Sequence, residues 1–131
     1  MNQSDLAADL LALAREDLAS AEALVAADGV SAAPVGFHAQ QAVEKSLKAA
    51  IALAGGEFPF THNLGLLMRL SEDCGLEPPS QLAQADRLTP YAATVRYGLG
   101  DPGTVDPGDA LRWAALAIEW AEARPGSSDP T

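Results

Sequence analysis

At 131 residues, with 48% apolar and 20% charged side chains, the chain has the size and make-up of one ordinary globular domain. A single cysteine excludes an internal disulfide, and one thiol with two histidines is a poor kit for a structural zinc site. A formal charge of −10, from 18 acidic against 8 basic residues, would repel a polyphosphate, so extended nucleic-acid binding is not expected.

The chain reads as consecutive helices. The first is expected from about Asp5 to Ala27, with Ser4 as N-cap and Asp28-Gly29 as its stop; Leu6, Leu10, Leu13, Ala21 and Leu24 mark its apolar stripe. The second starts near Pro34, tolerated in a first turn, and runs to Ala54 before Gly55-Gly56. Glu57-Phe58-Pro59-Phe60 must be extended or turn, because the residue before proline avoids the α region. Thr61 or Asn63 then caps a short third helix that ends near Cys74-Gly75. A fourth follows Pro78-Pro79, and Pro90 either kinks it or begins a separate helix ending near Tyr97-Gly98. Gly98 to Gly108 is a turn-rich loop. Asp106-Pro107 opens the last helix, which ends at Arg124-Pro125. Sparse aromatics and abundant alanine agree with this pattern. The expected fold is all-α, an up-and-down bundle of four to five helices over residues 1–125, with a disordered tail at 126–131. No apolar run reaches the roughly 18 residues of a membrane span, and the N-terminus carries no basic leader. A cytoplasmic protein without membrane contact is expected.

The second helix carries the chemistry. His38, Gln41, Lys45 and Lys48 fall on one narrow stripe at about 100° per residue, nearly opposite Val43 and Ala50. Gln40 and Glu44 flank it, and Glu44 with Lys48 forms a favourable i, i+4 pair. The stripe is either the solvated face of an amphipathic helix or a binding face. It holds both lysines of the chain and one of its two histidines. His62 follows Thr61 at a helix start, where a neutral, hydrogen-bonded imidazole is favoured. Arg96 beside Tyr97 reads from spacing as an ion-pair partner for one of the many carboxylates. Tyr91 and Tyr97 read as core-edge residues, Trp113 and Trp120 as core or dimer-interface residues, and Cys74 as inert. No phosphate-cradling glycine loop, GxSxG, HExxH or CxxC occurs, and no metal or other cofactor is expected.

The run from Phe37 to Ala49, FHAQQAVEKSLKA, resembles the signature helix of the HEPN family. The resemblance continues in Phe58-Pro59-Phe60-Thr61-His62-Asn63-Leu64, similar to the family's FPxTHxL, and in Leu88-Thr89-Pro90-Tyr91 with Val95-Arg96-Tyr97. It implies a helical bundle, a homodimer and pairing with a small nucleotidyltransferase, often as a toxin–antitoxin couple. It also maps the family's recurrent polar positions onto His38, Gln41, Lys45, Lys48, His62 and Arg96. Many members are metal-independent ribonucleases whose active site is an arginine followed after four to six residues by histidine. Here no arginine precedes His38 or His62 at that gap. The resemblance therefore implies a non-catalytic module binding a nucleotide or a nucleotidyltransferase. The alternative is a divergent ribonuclease using His38 or His62 with Arg96 from non-standard positions.

Overall fold

The computed structural model describes residues 2–27, 32–97 (94–97 by backbone alone) and 105–125. The expected stop at Asp28-Gly29, the loop residues Gly98 to Thr104, the tail 126–131 and the side chains of Arg96 and Tyr97 lie outside the described residues. All the regular elements among them are helical: α1 (Gln3–Ala26), α2 (Ala32–Leu53), α3 (Leu64–Asp73), a 3-10 segment (Ser80–Leu88), α4 (Thr89–Tyr97) and α5 (Pro107–Glu122). No strand occurs among the described residues. The bundle is all-α, as the sequence pattern predicts.

α2 is the central element and touches every other one. It therefore has no solvated side of the ordinary amphipathic kind. Val35, Ala39, Val43, Leu47, Ala50 and Ile51 are buried, and so are Gln40, Glu44, Ser46 and Lys48. Ser46 Oγ returns its hydrogen bond to the Ala42 carbonyl (2.8 Å), which satisfies a buried hydroxyl within the helix. Against this core α1 buries Ala7, Ala14 and Ala21, spaced by seven; of the expected stripe only Ala21 is buried, and its four leucines are not. Small side chains let two helix axes approach closely, and an alanine seam suits the alanine-rich α2. The leucine stripe is displaced to the side: Leu6, Leu10 and Leu24 are half-buried and Leu13 is 45% exposed.

α4 approaches α2 just as closely. A Cβ built on Gly36 would lie 2.2 Å from the Tyr91 ring, so only glycine admits that buried aromatic. Tyr91 is thus a core residue and not a core-edge one, at 1% exposure. Its hydroxyl and the Trp120 indole N–H are buried without a partner among the described residues.

Helix ends follow local chemistry. Asn2, rather than Ser4, caps α1, its Oδ1 accepting from the Asp5 amide (2.8 Å). Asn63 is the cap of α3, accepting from Leu66 N (3.0 Å), while Thr61 supports it through the Asn63 amide (3.1 Å). Gly55 and Gly75 take φ +81° and +83° where α2 and α3 stop, a backbone region that favours glycine. Asp106 caps α5 by accepting from Asp109 N (3.2 Å), with Pro107 in its first turn. Pro90 divides two segments: the 3-10 segment ends at Leu88 and α4 begins at Thr89. Thr89 Oγ1 donates to Asp86 Oδ1 (2.9 Å) and accepts from Leu64 N (3.1 Å), and Asp86 Oδ1 also accepts from Gly65 N (3.0 Å). This clamp ties the start of α3 to the 3-10/α4 junction and satisfies the orphan amides of a helix N-terminus.

Candidate functional site

The polar residues of α2 are organised by two carboxylates. The first is Asp17 of α1, one helical turn beyond Leu13. Its Oδ1 lies 3.0 Å from His38 Nδ1 and its Oδ2 accepts from Lys45 Nζ at 2.5 Å. His38 and Lys45, seven residues apart on α2, are therefore joined through a neighbouring helix. The Asp17 side chain retains 13% exposure, whereas His38 and Lys45 retain 30% and 20%, so the imidazole and ammonium remain reachable from solvent. Phe37 meets the His38 ring edge-on at 5.3 Å.

The second carboxylate is Glu44, on α2 itself and 4% exposed. Oε1 accepts from Gln40 Nε2 (3.0 Å) and lies 2.8 Å from His62 Nδ1; Oε2 accepts from Lys48 Nζ (3.0 Å). Gln40 Nε2 also donates to the His62 carbonyl (3.0 Å), and Gln41 Nε2 donates to Gln40 Oε1 (2.7 Å). Burial pushes the Glu44 carboxyl up, but hydrogen bonds from Gln40, His62 and Lys48, with the Lys48 charge, outweigh it and hold the group below the usual carboxylate range. With its partners around it, the buried charge is compensated.

The strap of residues 54–63 between α2 and α3 closes over this second cluster. Lys48 Nζ lies 5.5 Å from the Phe58 ring centroid and 6.0 Å from that of Phe60, and Phe60 meets His62 edge-on at 5.5 Å. Phe58 packs on the core, but Phe60 is 93% exposed.

The structure thus gathers five of the six expected site residues into two neighbouring clusters on α2: His38 with Lys45, and Gln41 with Lys48 and His62. The side chain of Arg96 lies outside the described residues. Neither lysine is a free cation; each ammonium closes on a carboxylate. Sequence reasoning placed Glu44 and Gln40 beside the stripe, with Glu44 as the helix partner of Lys48, and did not name Asp17. The signal for Asp17 was present, as a charge on the Leu6/Leu10/Leu13 stripe. Among the described residues no cluster of His, Cys, Asp and Glu could hold a metal ion.

The family comparison covers nearly all of this architecture: the HEPN domain model matches residues 7–123. The chain belongs to the HEPN family. No curated protein and no solved structure matched it. In this HEPN chain the signature run lies on the central helix α2 of the bundle, and the Phe58–Leu64 segment runs through the strap into α3, its His62 reaching back to Glu44. Among the described residues, no helix of the HEPN bundle is long and apolar enough to cross a membrane.

Proposed function

We propose that this HEPN module is non-catalytic and works by binding, as a homodimer, a cognate nucleotidyltransferase or a nucleotide, within a toxin–antitoxin pair. The carrying observation is the state of the two lysines: Lys45 closes on Asp17 and Lys48 on the buried Glu44. A triphosphate would have to draw an ammonium off its carboxylate and leave that carboxylate uncompensated, which is costly for a buried group. A charge-compensated surface with half-exposed His38, Gln41 and Lys45 is better suited to a protein partner, and this supports the transferase over the nucleotide. The missing arginine–histidine spacing supports the non-catalytic part.

The test is affinity capture of a co-expressed minimal nucleotidyltransferase, with calorimetric titration of ATP alongside. The expected result is a stable complex with the transferase, weakened about tenfold by Lys45→Ala, and only weak ATP binding. Failure to bind either would overturn the proposal.

One observation favours the ribonuclease alternative. Asp17 Oδ1 lies 3.0 Å from His38 Nδ1, so the carboxylate orients the ring and leaves Nε2 as the ring nitrogen not engaged by Asp17, the arrangement in which a histidine serves as a general base. Labelled RNA incubated with the protein and EDTA separates the two. Cleavage that vanishes in a His38→Ala/Arg96→Ala variant would establish the enzyme; intact RNA with folded protein supports the binding module.

A further inference from the structure

α3 ends in a glycine turn that folds the chain back along the helix. Gly75, at φ +83°, donates to the Glu72 carbonyl (2.9 Å), and Leu76 N donates to the Ser71 carbonyl (3.0 Å). The turn closes the helix end and sets Leu76 against the core with Met68. Pro78 and Pro79 follow, and Pro79 is extended at φ −57° and ψ 141°, so a stiff stretch of chain leads into the 3-10 segment. A groove runs between this proline wall and α3. Met68, Leu76, Pro78 and Pro79 give it an apolar lining, and the exposed Glu72 and Glu77 border it.

Glu72 and Glu77 are not spent within the fold. The ion pairs among the described residues close on Asp17, Glu44, Asp109 and Glu122. Arg69, the basic residue of α3, takes part in none of them. With Asp73 it borders a second depression over Leu66 and Leu70, on the other side of Glu72. The groove thus joins an apolar floor to carboxylates that keep their charge available. The depression beyond the 3-10 segment, over Trp113 and Leu116, differs: it is bordered by both signs, Arg112 and Glu119, and selects no partner by charge.

We propose that the groove between α3 and the Pro78-Pro79 wall docks a basic amphipathic helix of another protein. It shares no residue with the polar stripe of α2, and the inference does not rest on the reading above. The occupant follows from the two kinds of surface. An apolar floor takes the apolar stripe of a helix, and free carboxylates along its border take lysines or arginines flanking that stripe. A second copy of this chain, with a formal charge of −10, is repelled from the same border. The walls need little rearrangement to receive the helix, because the glycine turn and the prolines fix the groove before anything binds.

The probe is a fluorescein-labelled synthetic helix of about 18 residues, with leucine on one face and lysine along its borders, titrated with the full chain and followed by anisotropy. It is expected to bind with a micromolar Kd that rises about tenfold between about 0.05 and about 0.5 M salt. The same peptide with glutamate for lysine should not bind, and one with serine for leucine should bind about tenfold more weakly. Glu72→Lys/Glu77→Lys should raise the Kd about tenfold or more. Asp9→Lys/Glu16→Lys makes the same change of net charge at exposed positions of α1 and should stay within about threefold. Met68→Gln removes an apolar contact, and Ala83→Gln crowds the groove from an exposed position of the 3-10 segment; each should weaken binding about fivefold. Circular dichroism confirms that each variant is folded. Absence of binding by the leucine–lysine helix overturns the proposal. So does equal binding of the glutamate or the serine peptide, a Kd indifferent to the groove variants, or one raised as much by the α1 pair as by the Glu72/Glu77 pair.

Discussion

Asp17 and Glu44 organise two clusters of the same composition, each a carboxylate holding one histidine through Nδ1 and one lysine through Nζ. Their settings differ. Glu44 sits on the central helix, 4% exposed, with Gln40 as a further donor and a strap with two aromatic rings above its lysine. Asp17 reaches across from a peripheral helix, and its partners keep 30% and 20% of their side-chain surface in solvent. The difference separates tasks: the inner cluster ties the strap and α3 to α2, and the outer one presents a histidine and a lysine to whatever meets this face.

The largest expected effect comes from breaking the inner cluster. Glu44→Ala removes the acceptor for three donors and leaves Lys48, 8% exposed, without its counter-charge, so a loss of about 3–5 kcal/mol is predicted. Asp17→Ala should cost less, about 1–2 kcal/mol, because His38 and Lys45 can turn to water. Urea unfolding of both variants decides it. Equal losses, or a larger one for Asp17, would mean that the two clusters carry the fold alike and that the division of tasks is wrong.

Acid sharpens the same contrast. The Glu44 carboxyl is held below its ordinary value, so it contributes stability that is fully present above the unfolded value, about 4.3, and is lost as pH falls through the folded value. Glu44→Gln cannot gain or lose that contribution. The gap in melting temperature between wild type and this variant should be widest at neutral pH and shrink below about pH 4. A gap constant down to pH 3 would show that the carboxylate charge does not stabilise the inner cluster.

Much of this organisation was legible in the sequence, and the parts that were not share a cause. Helix existence and caps depend on residues within one or two turns, and the pattern carries Asp106 directly, leaves Asn63 beside Thr61 as an alternative, and misses Asn2 in favour of Ser4. In the expected stripe of α1 Ala21 held but the four leucines misled, because hydropathy ranks leucine above alanine, whereas a helix packing onto an alanine-rich central helix buries the residues that allow the closest approach, here Ala7 and Ala14 with Ala21. The stripe of α2 could be read as solvated or as binding, and its half-buried state needed neighbours from elsewhere in the chain. Asp17 lies 21 residues before His38, and His62 lies 18 residues after Glu44. No periodicity links them. Gly36 was equally silent, since its meaning is the Tyr91 ring that lies against it.

The smallest expected effect is the most discriminating for the strap. Phe58 and Phe60 stand two residues apart over the same lysine, at 5.5 and 6.0 Å, yet Phe58 packs on the core and Phe60 is almost wholly in solvent. Truncating Phe58 should cost about 2–3 kcal/mol, from lost apolar burial. Truncating Phe60 forfeits only an exposed cation–π contact and the edge contact with His62, so Phe60→Ala should change stability by no more than about 0.5–1 kcal/mol. Thermal unfolding of a dilute, monomeric sample makes the measurement without any contribution from association. A Phe60→Ala loss as large as that of Phe58→Ala would place the ring in the roof of the Glu44 cluster. Near neutrality leaves its surface free for a partner, because a ring that contributes nothing to the fold can be buried elsewhere without loosening the inner cluster beneath it.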